Sequence, residues 1–265
     1  MTPKAQDMQF DRGTRACINS LRFVSLNALI FLCSLLHAQE NRCGVEVKLL
    51  LSPTEDQAAV TALNVRKEMT GFIYFFDTNT LDLLSQGVIV RLRQGIDNDL
   101  TVKFRPSKGE KFSDLATEEE TFKCEIDFTG DGASPAYSIS RRYAGNPLPQ
   151  TWYDISHLLS PGQKKLLEET KISIDWSRVN RIVEIRATAW VSKTQPHFNK
   201  LELELWEWPD GRILELSTKV GSDAGPMTYA QLQGLVTSKV LSLSRDQRSK
   251  TNTVLESAMH LPARR

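Results

Sequence analysis

Gly87-Val-Ile-Val-Arg-Leu-Arg93 and, after a short polar turn, Asp99-Leu-Thr-Val-Lys-Phe-Arg105 alternate charge and hydrophobe strictly. A period of two is a β-strand signature, because successive side chains of an extended backbone leave on opposite faces. Arg91, Arg93, Lys103 and Arg105 therefore share one face of a hairpin, while Val90, Leu92, Val102 and Phe104 share the other. Like charges on neighbouring strands repel, so such a face meets water, facing carboxylates or an anion. The hairpin alone leaves these open.

The pattern recurs along the chain. A short strand over residues 43–51 carries Glu46 and Lys48 on one face, and Ser52-Pro53 opens a helix running to about Glu68. Residues 72–77 read as a strand. In residues 119–128, Lys123, Glu125 and Asp127 alternate with Phe122, Cys124, Ile126 and Phe128. The Gly, Ser and Pro content of residues 129–149 reads as a long connection, and Ser160-Pro161 opens a helix to about Thr170. Over residues 181–191, Glu184 and Arg186 alternate with Val183, Ile185 and Ala187. A hairpin turns on Pro209-Asp210-Gly211, with Glu202 and Glu204 on one face of its first arm and Glu215, Ser217 and Lys219 on one face of its second. A helix over about residues 228–243 and a polar tail end the chain. That makes about eight strands and three helices. Either the charged faces meet water outside a core, or helices cover the apolar faces and the charged ones line a closed barrel. The pattern admits both.

With 265 residues, 40% hydrophobic and 25% charged, the chain has the composition of a globular protein. Its beginning reads as a secretory signal peptide over residues 1–38: basic residues up to Arg22, an apolar run at 23–36 and small Ala38. This predicts a secreted or periplasmic protein; an uncleaved leader would instead anchor it to a membrane. The run is shorter than the roughly 20 residues of a membrane span, so the mature form is expected to have no transmembrane domain. Four of the 33 basic and two of the 32 acidic residues lie in the leader, leaving 29 against 30. A nearly neutral body argues against a specific nucleic-acid partner. Cys17 and Cys33 would leave with the leader, and export permits a disulfide between Cys43 and Cys124, both on apolar-face parity. No Cys/His spacing suits zinc, and none of His37, His157, His197 and His260 sits beside a nucleophile.

In the order of these segments the chain resembles the CYTH, or triphosphate tunnel metalloenzyme, superfamily, which includes thiamine triphosphatases and class IV adenylyl cyclases. The residues that carry this are Gly44-Val-Glu-Val-Lys48 at the family's ExExK strand, Tyr74-Phe-Phe-Asp-Thr78, the run from Gly87 to Arg93, Leu100-Thr-Val-Lys103, and the acidic hairpin from Glu204 to Ser217. The resemblance implies an α+β fold: an eight-stranded antiparallel β-barrel, or tunnel, with a charged lumen and flanking helices. The tunnel domain would span residues 39–246, with a polar tail at 247–265.

It further implies that Arg91, Arg93, Arg105, Arg186 and Lys219 bind the phosphates of a triphosphate or polyphosphate, and that Glu46, Lys48 and Lys103 are catalytic. Glu46, Glu202, Glu204 and Glu215 would hold Mg2+ or Mn2+. The activity implied is an exported, metal-dependent triphosphatase or polyphosphatase that hydrolyses a phosphoanhydride bond. Gly44 and Ser217 stand where the family has carboxylates. The alternative is therefore a catalytically silent phosphate-binding module with a degraded metal site.

Overall fold

The structure, a computed structural model, describes residues 43–107, 109–144, 154–192, 195 and 197–259. The leader, Lys108, the connection at 145–153 and the last six residues with His260 lie outside the described residues.

Nine described strands form one closed barrel: β1 (Gly44–Leu51), β2 (Arg66–Asp77), β3 (Val88–Gln94), β4 (Asp99–Phe104), β5 (Glu120–Thr129), β6 (Gly132–Arg142), β7 (Asn180–Ser192), β8 (Leu201–Trp208) and β9 (Gly211–Val220). Their order around the wall is β1-β5-β6-β4-β3-β2-β7-β8-β9, and β9 closes on β1. All neighbours are antiparallel except β1 and β5, so the sheet is mixed. The strand beyond the expected eight is β6, in the stretch read as a connection. Small and polar side chains there imitate loop composition, but the two-residue turn between Thr129 and Gly132 folds the chain back on β5. Its Pro135 lies beyond the last residue that β4 pairs, where no partner needs its missing N–H.

The helix expected from Ser52 to Glu68 is shorter. A 3-10 turn (Pro53–Glu55) leads into α1 (Asp56–Ala62), and Asn64, with φ of 50°, turns the chain out of it. Residues from Arg66 onward pair with β7, so the long sheet ladder overrides local helix propensity. The remaining helices are α2 (Asp82–Ser85), α3 (Pro161–Thr170), α4 (Gly225–Ser238) and α5 (Lys250–Met259). Ser160 and Gln163 form a capping box that starts α3 at the expected residue. The last helix is new: much of the polar tail is ordered secondary structure.

Helices cover the outer apolar faces. Leu232 and Val236 of α4 pack with Val45, Val47 and Leu49 of β1, and Leu166 and Leu167 of α3 pack with Val90, Leu92, Leu100 and Val102. This turns the charged faces of β1, β3 and β4 inward. One end of the lumen, however, is apolar: Ile73, Phe75, Ile89, Val183, Ile185 and Trp206 meet Val254 and Leu255 of α5. Charge fills the rest.

Cys43 and Cys124 form a disulfide with a Cα–Cα separation of 4.7 Å, joining residues 81 apart in sequence. It sits beside the parallel β1–β5 pairing. Closing a loop of that length removes roughly 4 kcal/mol of chain entropy from the unfolded state in the loop-closure account. Reduction, or Cys124→Ala, is expected to lower the unfolding free energy by about 2–4 kcal/mol. Urea denaturation with and without reductant checks this; coincident midpoints would contradict it.

A candidate anion-binding tunnel

Strand pairing sets the inward wall. Arg91 lies opposite Thr101, Arg93 opposite Asp99, and Ile89 opposite Lys103, so the inward face of β3 and β4 brings Arg91, Arg93 and Lys103 together among Ile89, Asp99 and Thr101. Lys48 faces them from β1. Lys48, Arg91 and Lys103, together with Arg105, which follows β4, and Lys250 of α5, line a cavity of about 300 Å3.

At its centre is Asp127 of β5, only 4% exposed. Its carboxylate accepts hydrogen bonds from Lys48 Nζ at 2.7 Å, Lys103 Nζ at 2.7 Å and an Arg105 guanidinium nitrogen at 3.0 Å. Burial alone would raise the Asp127 carboxyl, but the Lys48, Lys103 and Arg105 cations hold it well below the ordinary carboxylate range. Lys103 moves the other way: burial and the adjacent Lys48 ammonium outweigh Asp127 and pull it down to about 8. Glu46 accepts from Lys48 at 3.0 Å. Against the effect of burial, Lys48 and then Lys219 bring it down to about 2.

Arg91 differs from its neighbours. Its Nε is buried and has no hydrogen-bond partner. Burial, followed by the nearby Arg93, lowers its guanidinium from the usual value, against smaller pulls from Asp99, Glu204 and Glu46. A buried donor without an acceptor costs about 1–3 kcal/mol, so a cavity-lining one calls for an acceptor from outside the chain.

The other expected phosphate ligands are placed less centrally. Arg93 is forked onto Asp99 at 2.8 and 2.6 Å and also touches Asp97 at 2.7 Å, so acidic residues already hold it. Lys219 pairs with Glu125 at 2.7 Å with its side chain half exposed. Arg186 is corrected outright. It lies opposite Phe72 on the exposed outer face, because β7 turns Val183, Ile185 and Ala187 inward. Both faces of β7 alternate cleanly, and only the helices and neighbouring strands decide which one is the inside.

Of the four proposed metal ligands only Glu204 and Glu215 come together. Glu202 pairs with Lys200 at 2.5 Å, its side chain 41% exposed. Glu204 and Glu215 lie opposite each other on β8 and β9, and the Lys250 ammonium sits on both, 2.8 Å from Glu215. Glu46 is engaged by Lys48, and Gly44 and Ser217 add no carboxylate. Among the described residues no three or more His, Cys, Asp or Glu are grouped to hold a metal ion. A resident Mg2+ or Mn2+ is held through one or two carboxylates with waters completing its shell, and this donor set does not fit one because a lysine already occupies each of the four carboxylates.

Asp99, Asp127 and Lys250 are site residues that motif reasoning passes over. Asp127 shares the parity of Glu125 and Asp99 that of Lys103, so a stricter use of strand period would find both. Nothing local marks Lys250.

No family model and no curated protein sequence matches the chain. Solved structures do. A protein from Hippeastrum, described as an adenylyl cyclase candidate in which triphosphatase activity dominates, is 22% identical with a TM-score of 0.54, over 82% of this chain and 97% of its own. A protein from Bacillus halodurans, provisionally named an adenylate cyclase, is 11% identical with a TM-score of 0.50, over 80% of this chain and 97% of its own. What is shared is the fold: the closed barrel with flanking helices that the sequence resemblance implies.

Proposed function

We propose that this chain is a triphosphate tunnel protein that binds a triphosphate or short polyphosphate in its lumen. The observation that carries the proposal is the buried, partnerless Arg91 Nε on a cavity wall shared with Lys48, Lys103 and Arg105. A phosphate oxygen would supply the missing acceptor, and forked guanidinium donors suit such oxygens. Lys48, Lys103 and Arg105 now share one carboxylate; an incoming chain of phosphates offers each its own oxygens. Asp127 thus holds the cations together and gives them up to a ligand of higher charge.

Hydrolysis is the second reading, favoured by the triphosphatase activity described for the Hippeastrum protein of the same fold. Water would attack the terminal phosphorus, the bridging P–O bond would break, and Lys103 and Arg105 would meet the charge left on the departing oxygen. Export belongs to the proposal too. The Cys43–Cys124 disulfide supports an oxidising compartment, and no helix among the described residues is long and apolar enough to cross a membrane.

Calorimetric titration with tripolyphosphate in chelator tests binding, and phosphate release tests turnover. No heat and no thermal shift at millimolar ligand would sink the reading. The pH dependence adds a signature. Lys103 is charged below about 8 in the free protein, and a bound anion favours that charged form. Affinity is therefore expected to fall as pH rises through about 8, by up to about tenfold per pH unit, and the fall is expected to vanish in Lys103→Met. In the anion-free protein the sign reverses. The cost of keeping Lys103 charged is present in full below about 8 and is relieved as pH rises from there towards its unfolded value of 10.5.

A further inference from the structure

We infer that Lys250 is the resident cation of this tunnel, standing where a divalent metal would otherwise bind between Glu204 and Glu215. The inference rests on the reading of the lumen as a phosphate site, and it explains why the donor set there does not fit a metal.

The first observation is geometric. Glu204 and Glu215 are cross-strand partners on the inward face, and one ammonium group bonds both. The contact is enclosed: the Lys250 side chain is 12% exposed and that of Glu215 is 6% exposed. Its Nζ also lies 4.2 Å from the centre of the Trp206 ring, a favourable place for a cation.

The second is that the lysine is held there by structure rather than by its charge alone. Lys250 is the first residue of α5, and Val254 and Leu255 of the same helix are buried in the apolar end of the lumen. Ser257 Oγ accepts from Trp208 Nε1 at 3.0 Å, and Glu256 binds Arg248 at 2.7 Å. The apolar packing and the Trp208–Ser257 bond hold the helix against the barrel, while the Arg248–Glu256 pair ties it to the segment before it, and its first residue lies over the carboxylates.

The third is charge balance. Two carboxylates face one ammonium, and the Arg91 guanidinium provides a second positive charge felt by Glu204. A dication would enter an already neutral group and meet two fixed cations. Like charges repel strongly at this range where little water screens them.

Mn2+ binding by equilibrium dialysis and electron paramagnetic resonance, on the full chain without phosphate, tests this directly. The unmodified protein is expected to hold no stoichiometric Mn2+ below about 1 mM, while Lys250→Met, which keeps the stem over Trp206, is expected to gain at least about tenfold in Mn2+ affinity. The gain should disappear in the Lys250→Met, Glu204→Gln double variant. Stoichiometric Mn2+ on the unmodified protein that is lost in Glu204→Gln would overturn the inference, and so would a folded Lys250→Met variant with no gain. If Lys250→Met does not fold, the comparison of unmodified protein with Glu204→Gln still decides. Tripolyphosphate titration in chelator is run alongside. Its failure would refute the phosphate reading and leave the Mn2+ result to judge Lys250.

Discussion

Replacing Asp127 by asparagine is expected to cost about 3–5 kcal/mol of stability in anion-free buffer, the range for removing one partner from a buried ionic group. The same variant should regain much of that loss when tripolyphosphate is added. Lys48, Lys103 and Arg105 all meet on this carboxylate, which is 4% exposed. Asparagine leaves one acceptor oxygen and no charge, so three cations would face one another with little water to screen them. An anion that binds only the folded state would then stabilise it by about 2.7 kcal/mol at a hundred times its dissociation constant. Affinity should also rise, since the ligand no longer displaces an internal carboxylate. The acid limb of stability provides a second check. The folded-state pKa of Asp127 is depressed, so its contribution is present above the unfolded value of 3.8 and is lost only as pH falls through the folded one. Asp127→Asn should lack that loss at low pH. Calorimetry across anion concentration reads all of this; a variant as stable as its parent, with a melting temperature indifferent to tripolyphosphate, would contradict it.

Much of the wall was legible because strand period is a local property. Arg91 and Lys103 fall on one face by counting alone, and the turn residues at Pro209-Asp210-Gly211 place β8 against β9. Period cannot say which face is inside. For β3 and β4 the resemblance settles it correctly, whereas for β7 the same reasoning puts Arg186 in a lumen that Ile185 and Ala187 occupy. Composition misled at β6, whose Ser134, Pro135 and Ser138 resemble a loop and become strand only through pairing with β5 and β4. Lys250 was out of reach for a different reason. Its role comes from a helix more than 30 residues beyond Glu215 folding into the barrel mouth, and no spacing encodes that contact. The metal expectation comes from the family resemblance, carried over onto Glu46, Glu202, Glu204 and Glu215. The structure shows each of them with a basic partner: those of Glu46 and Glu202 stand two residues away on the same strand face or just before it, whereas Lys250, which holds Glu204 and Glu215, is distant in sequence.

Arg91→Met separates a phosphate site from a structural ion network. In a network, every cation supports stability through its partner, and removing one strands a buried carboxylate at a cost of about 3–5 kcal/mol. Arg91 has a buried Nε with no acceptor, while Asp99 is already held by Arg93 and Glu204 by Lys250. An apolar side chain of similar length removes that unmet donor and its repulsion from Arg93. The folded protein is therefore expected to be as stable as its parent, or more stable by roughly 1 kcal/mol. Binding should move the opposite way. Hydrogen bonds from a charged donor are worth about 1.5–3 kcal/mol each, so tripolyphosphate affinity should drop by about 10- to 100-fold. A site that exists to bind an anion keeps a cation whose value appears only when the anion arrives. Stability unchanged with affinity lost is the signature of that arrangement, read by urea denaturation and calorimetric titration on one preparation. Stability lost with affinity unchanged would make the tunnel an ion-paired core and its cationic wall a scaffold.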